Sequence, residues 1–267
     1  MDFCNGCIQG VRHGEHLVAS LGTLKTIAGV TCYVATPTVD YAKDKVILLL
    51  PDGFGMTINA QGYKPHNSSS LMTLSETASR FAQTIVVAID YFNGDGIPGD
   101  RLFKVKDNLK SLDFWGWQAA TVKATRPSLD KVIAALKEEG VTKFGATGHC
   151  FGCRHTFDLA FDNIIQCTVV SHISLLNLPD DLETYFSRSA APLLIDSCEH
   201  DRLFCAEAQT KADAIFGDGK FAPGYRSECF PRCTHGFTVL GDLSNPLVKA
   251  GKQGSSLASV EFFLEHL

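Results

Sequence analysis

A cysteine flanked by two glycines is the residue of this sequence whose position most directly suggests chemistry. Gly148-His-Cys-Phe-Gly152 follows the apolar segment 143–147 and precedes a segment of helical periodicity. Where a strand turns into a helix within about one residue, the central side chain is held at the strand end, and side chains two positions away would collide. We therefore predict that Cys150 is a nucleophile whose thiolate is stabilised by the helix N-terminus.

Two later residues supply the partners that such a nucleophile requires. Asp201 and His235 each follow a predicted strand, in the chain order nucleophile, acid, histidine. This order favours His235 as the general base and Asp201 as the carboxylate that orients it. Glu199 and His200 lie beside Asp201 and are competing candidates. For any single cysteine, the alternative interpretation is a buried and unreactive apolar residue.

The elements that must position these residues are short apolar segments that alternate with helical patterns. The predicted buried strands are 46–50, 84–89, 143–148, 168–171, 193–197 and 225–230. The predicted helices are 129–136 behind Pro127, 151–161, 204–216 and 257–267. This alternation predicts an α/β fold with a mostly parallel, doubly wound sheet flanked by helices. In such a sheet, ligands bind at the carboxyl ends of the strands.

Two stretches depart from the alternation. Residues 1–22 are polar and lack periodicity, so we expect an N-terminal arm, followed by an edge strand at 29–35 and a single domain over 23–267. Residues 91–125 form a long insertion with an aromatic cluster, Phe103, Phe114, Trp115 and Trp117. Connections of this length are usually functional, so the insertion is interpreted as a cap over the pocket, with a surface excursion as the alternative.

Composition excludes several classes of function. The 267 residues carry 24 basic and 29 acidic side chains, and 45% are hydrophobic. The net charge of −5 argues against nucleic acid as a partner, and apolar runs such as 46–50 are too short to span a membrane. The start of the chain lacks the pattern of a secretory signal, so we expect a cytoplasmic protein with free thiols. Possible zinc ligands near the start, Cys4, Cys7, His13 and His16, lack the spacing of a zinc finger, and no metal is expected.

Taken together, these motifs resemble the dienelactone hydrolase family, in particular its fungal branch, over residues 25–267. The segments that carry the resemblance are Pro51-Asp-Gly-Phe-Gly55, Asp90-Tyr-Phe92, Gly148-His-Cys-Phe-Gly152, His172-Ile-Ser174, Glu199-His-Asp201 and Thr234-His-Gly-Phe237. The resemblance implies the α/β-hydrolase fold. It also implies a cysteine-dependent hydrolase of a small ester or lactone that requires no cofactor and forms a covalent acyl-thioester.

The resemblance also implies roles for individual residues. Cys150 would be the nucleophile, His235 the base and Asp201 the orienting acid. The backbone N–H groups of Gly53 and Phe151 would form the oxyanion hole.

Five residues are predicted to contact substrate. Asp52 stands where the family has a glutamate that contacts the resting thiol, although it could instead cap the following turn. The others are Phe54, Tyr91, His149 and His172. Phe54 and Tyr91 could equally belong to the core.

The family's arginine four residues after the catalytic histidine is replaced by Val239. Without a fixed guanidinium, a substrate carboxylate has no bidentate anchor, so a neutral ester or lactone is the expected substrate. Two other interpretations stay open. The protein could be a biosynthetic isomerase or cyclase that uses the same pocket, or a small-molecule binding protein without turnover. We expect a monomer or a homodimer, with no nucleic-acid or membrane partner.

Overall fold

The apolar segments of the sequence form one sheet in the computed structural model of the chain. The structure describes residues 22–56, 82–96, 114–240 and 242–267. The strands are β1 (Gly22–Ile27), β2 (Val30–Ala35), β3 (Lys45–Leu50), β4 (Ile85–Ile89), β5 (Lys143–His149), β6 (Cys167–Ser171), β7 (Leu193–His200) and β8 (Tyr225–Thr234). The order across the sheet is β1-β2-β4-β3-β5-β6-β7-β8. Only the pairs β1–β2 and β2–β4 are antiparallel, so within the described ranges the mostly parallel sheet is confirmed.

Helices cover both faces of this sheet. They are α1 (Phe114–Glu138), α2 (Phe151–Phe161), α3 (Asp180–Arg188), α4 (Ala206–Phe216), α5 (Phe237–Leu240) and α6 (Pro246–His266). Successive side chains of a strand point to opposite faces, so Leu48 packs with residues of α1 to α4 while Leu49 packs with residues of α6. Because both faces of β3 are buried, the sequence of this strand after its first residue is a continuous run of apolar residues. Among the helices in the described ranges, none combines the length and apolarity needed to cross a membrane.

The prediction that residues 29–35 form an edge strand was wrong. Residues 30–35 do form a strand, β2, but it lies between β1 and β4, and β1 occupies the edge. A tight turn joins the two strands, with positive φ at Ala28 (49°) and Gly29 (82°), as a two-residue hairpin requires. The side chains of β1 are mostly exposed, so this strand lacks the apolar pattern that sequence reasoning relies on.

Two helices begin earlier than predicted. α1 starts at Phe114 and contains Pro127 in its interior, so the last part of the 91–125 insertion is the first half of this helix. Residues 97–113 lie outside the described ranges, and the cap stays a prediction. α6 starts at Pro246, where the side chain of Asn245 accepts a hydrogen bond from the Leu247 N–H at 3.0 Å. An asparagine cap followed by proline is a helix start that apolar periodicity alone does not reveal.

Candidate active site

The turn between β5 and α2 presents Cys150 in a rare backbone conformation. Its φ of 50° and ψ of −108° lie in a region that residues other than glycine seldom occupy. A Cβ atom at Gly148 would collide with Thr156, and one at Gly152 would collide with the backbone carbonyl of Leu50. Glycine is therefore required on both sides of the cysteine, as the sequence spacing predicts.

The same close packing brings the start of α2 against the loop that follows β3. Gly152 lies against the carbonyl groups of Leu50 and Pro51. Phe151 is the first residue of α2, so its N–H has no acceptor within the helix. Gly53 follows β3, which is the parallel neighbour of β5. Among the described turns and loops, neither the N–H of Gly53 nor that of Phe151 donates to a backbone carbonyl. An oxyanion hole formed by these two N–H groups stays a prediction.

Asp201 and His235 meet at the carboxyl ends of β7 and β8. His235 Nδ1 lies 2.8 Å from Asp201 Oδ2. The other carboxylate oxygen, Oδ1, accepts the backbone N–H groups of Leu203 at 2.8 Å and Phe204 at 3.3 Å. Burial would raise the pKa of Asp201, but the hydrogen bond and charge of His235, together with these N–H donors, hold it below its ordinary value. The carboxylate is therefore charged and fixed in orientation.

The competing candidates do not face the ring. Glu199 accepts the backbone N–H of Arg232 at 2.6 Å, and His200 is exposed next to it. Both lie in the last residues of β7, whereas Asp201 follows the strand end. Strand β7 is longer than predicted, so the choice among three neighbouring residues depends on where the strand stops.

The second ring nitrogen of His235 faces the nucleophile. Apart from the Cys150 sulfur, its buried Nε2 has no hydrogen-bond partner among the described residues. Burial alone would lower the pKa of His235, but the negative charges of Cys150 and Asp201 and the hydrogen bonds of the ring to both residues outweigh it, raising the pKa to about 10. His235 thus contacts the Asp201 carboxylate through Nδ1, and a triad that includes Cys150 stays a prediction.

His149 and His172 lie behind this site and are both buried. One hydroxyl, that of Thr238 on α5, contacts both rings, at 3.0 Å from His149 Nδ1 and 2.6 Å from His172 Nε2. Burial, and then the charge of Lys252, lowers the pKa of His149 to about 4. Both rings contact protein groups, and their proposed contact with substrate stays a prediction. Sequence reasoning gave Thr238 no role, although it follows the His-Gly-Phe motif directly.

The aromatic residues near the nucleophile belong largely to the core. Tyr91 is 1% exposed, donates its hydroxyl to the Pro51 carbonyl and stacks on Phe151 at 6.0 Å. Phe54 is only partly buried, and its N–H donates to Asp52 Oδ1 at 3.1 Å. Asp52 therefore caps its own turn, which was the alternative considered for it. The substrate contacts proposed for Asp52, Phe54 and Tyr91 stay predictions.

The cysteines of the described ranges are free thiols. They are Cys32, Cys150, Cys153, Cys167, Cys198, Cys205, Cys229 and Cys233. In the same part of the chain, no group of three or more histidine, cysteine, aspartate or glutamate side chains is arranged to hold a metal ion. Cys4, Cys7, His13 and His16 lie outside the described ranges.

The sequence of this chain is similar to those of known hydrolases over most of its length. A family model described as the dienelactone hydrolase family matches residues 30–267. Dienlactone hydrolase 1 of Gibberella moniliformis is 27% identical over 251 residues, covering 92% of this chain and 86% of that protein. Hydrolase tropI of Talaromyces stipitatus is 23% identical over 273 residues, covering 98% and 95%.

The fold also matches solved structures. One is a dienelactone hydrolase-like promiscuous phosphotriesterase, P91, from metagenomic libraries. It superposes with a TM-score of 0.59 and 18% identity, covering 92% of this chain and 98% of that chain. At this level of identity the match establishes the fold alone, and it agrees with the α/β-hydrolase architecture expected from the sequence.

Proposed function

The chain belongs to the dienelactone hydrolase family and is a hydrolase that acts on ester or lactone bonds; we propose that Cys150 is its nucleophile, His235 its general base and Asp201 the acid that orients His235. The observation that carries this proposal is the 2.8 Å contact between His235 Nδ1 and Asp201 Oδ2, with Nε2 free of any partner other than Cys150. A histidine held at one nitrogen and open at the other is the arrangement that activates a neighbouring nucleophile.

The proposed reaction begins with a proton transfer. His235 Nε2 takes the thiol proton of Cys150, a transfer that the raised pKa of His235 favours, and the resulting thiolate attacks the substrate carbonyl carbon. The N–H groups of Gly53 and Phe151 donate to the oxygen that becomes negative. Donors aimed at this oxygen are each worth about 3 kcal/mol of barrier in known hydrolases.

The second half of the reaction releases the acid. Collapse of the tetrahedral intermediate breaks the ester C–O bond, and the leaving oxygen takes the proton from His235. A thioester then joins the acyl group to Cys150. His235 removes a proton from water, the resulting hydroxide attacks the thioester, and the sulfur leaves as the restored thiolate. Asp201 stays ionised throughout and keeps the proton of the neutral ring on Nδ1.

We propose a neutral ester or lactone as the substrate class. Val239, at the position where the family resemblance expects an arginine, is 1% exposed and packs in the apolar cluster beneath the sheet. It offers no charge to a substrate carboxylate. We expect kcat/KM to be higher for a neutral aryl ester than for a carboxylated dienelactone. A clear preference for the anion would overturn this substrate class while leaving the nucleophile unaffected.

The nucleophile is tested with p-nitrophenyl acetate and a strained enol lactone. We expect a burst of acylation, followed by turnover, with the acyl group located on Cys150 by mass spectrometry. Cys150→Ala should abolish the burst, and Cys229→Ala, which removes an exposed thiol on β8, should leave it unchanged. Acylation without turnover would favour a binding protein, and a product of unchanged mass would favour the isomerase. An undiminished burst in Cys150→Ala would contradict the proposed mechanism.

A further inference from the structure

A serine contacts the sulfur of Cys150. Ser174 lies on the loop after β6, is 2% exposed, and places its Oγ 3.4 Å from Cys150 Sγ. We propose that Ser174 is a positioning residue for the nucleophile, which holds the resting thiol and donates a hydrogen bond to the thiolate. The inference rests on the proposed function, because it takes Cys150 as the reacting group.

The loop that carries Ser174 is fastened to the turn that carries Cys150. The N–H of Cys150 donates to the Ser171 carbonyl at 3.2 Å. The thiol of Cys153, one turn into α2, contacts the carbonyls of Gly148 at 3.3 Å and Ser171 at 3.4 Å. The N–H of Ser174 in turn faces the Cys153 sulfur. Cys153 therefore joins the two loops, which gives this buried thiol a structural role.

The backbone of the loop is itself held in an unusual shape. His172 and Leu175, on either side of Ser174, have positive φ values of 40° and 64°. Such conformations cost free energy and persist where the surrounding structure imposes them. The His172 N–H is anchored to the Asp196 carbonyl at 2.9 Å. The position of the Ser174 hydroxyl is thus built into the fold and does not depend on a single flexible contact.

A hydroxyl suits this position chemically. It can accept a hydrogen bond from a thiol and, after rotation about its Cβ–Oγ bond, donate one to a thiolate. A carboxylate can only accept, and Asp52, which the family resemblance places near the thiol, already receives the Phe54 N–H. When the thiol proton moves to His235 Nε2, the Ser174 proton stays on its oxygen and turns toward the sulfur. No proton is lost from the serine.

The test measures the reactivity of Cys150 without any ester. Cys150 is alkylated with iodoacetamide between pH 5.5 and 9, and the adduct is located by mass spectrometry. Ser174→Ala should slow alkylation near neutral pH about tenfold and move the pH profile of the rate to higher pH, because hydrogen bonds to charged groups are stronger than neutral ones. Ser174→Thr, which keeps the hydroxyl, should restore most of the rate.

Ser171→Ala is the matched control. The Ser171 hydroxyl is buried and has no hydrogen-bond partner among the described residues, so its removal should leave both rate and profile unchanged. Melting temperatures of the variants verify that they fold. A wild-type alkylation rate and profile in Ser174→Ala would overturn this inference alone. An unreactive Cys150 in the wild-type protein would contradict the proposed function as well.

Discussion

The ring of His172 packs edge-on against the ring of His235, with their centroids 5.1 Å apart. Burial, followed by the charges of His235 and His149, lowers the pKa of His172 well below its ordinary value, so this ring is neutral. Its Nε2 bonds to Thr238, which also holds His149. The proposed general base therefore lies against a neutral ring whose orientation depends on one hydroxyl.

Thr238→Val should destabilise the protein by about 2–4 kcal/mol, because two buried ring nitrogens lose their partner while the side-chain volume is kept. Urea unfolding at pH 7 measures the loss. Thr238→Ser retains the hydroxyl and should lose about 1 kcal/mol or less, mainly from its missing methyl group. Equal stability of the valine and serine variants would show that the hydroxyl holds neither ring.

Asp201→Asn should lower kcat about 10³- to 10⁴-fold, because an amide can hold His235 in the wrong tautomer. The loss of the carboxylate charge should also lower the pKa of His235 from about 10. Initial rates with p-nitrophenyl acetate measure the first effect, and an NMR titration of the ring measures the second. Glu199→Gln is the matched control and should retain activity within about twofold, since Glu199 bonds to the Arg232 N–H and not to the ring. The opposite ranking of the two variants would reassign the acid.

Gly152→Ala should impair both folding and activity. The added Cβ would collide with the Leu50 and Pro51 carbonyls, which are backbone groups and cannot move away by a side-chain rotation. We expect a destabilisation of about 1–3 kcal/mol, and a lower kcat because α2 and the loop carrying Gly53 would be pushed apart. Melting temperature and kcat are measured on the same preparation. A variant with wild-type values for both would mean that the loops adjust freely.

Asp196 should make stability depend on pH. Burial raises its pKa to about 7, although the Ser255 hydroxyl donates to its Oδ2 at 2.6 Å and partly opposes the shift. The folded state therefore binds this proton more tightly than the unfolded chain. The resulting stabilisation is complete below about pH 4, where aspartate in an unfolded chain is protonated, and it declines until about pH 7. Between these two pH values, Asp196 should lower the free energy of unfolding by up to about 4 kcal/mol.

Asp196→Asn removes this ionisation while preserving a carbonyl oxygen for Ser255. Relative to wild type, the variant should gain unfolding free energy as the pH rises from 4.5 to 8, and denaturant unfolding at several pH values measures that gain. A stability difference that stays constant across this range would show that Asp196 does not titrate between the two states.

Much of the fold could be predicted because β3 to β7 are buried on both faces and therefore show as short apolar runs. β1 could not be placed in the same way, since it is an exposed edge strand fixed by its hairpin turn and by pairing with β2. The starts of α1 and α6 were also missed. α1 continues through Pro127, although proline ordinarily ends or kinks a helix. The cap at Asn245 begins α6 before any apolar pattern appears in the sequence.

The sequence by itself determined the backbone turn around Cys150, because the collisions that require Gly148 and Gly152 are local consequences of a strand reversing into a helix. It also limited the acid to a few adjacent residues after one strand. Only the tertiary structure decided that Asp201, and not Glu199, bonds to His235, because this depends on where β7 ends relative to β8. Likewise, Ser174 contacts Cys150, and Thr238 contacts His172, between segments that are distant in the chain. No spacing within a sequence motif predicts such contacts.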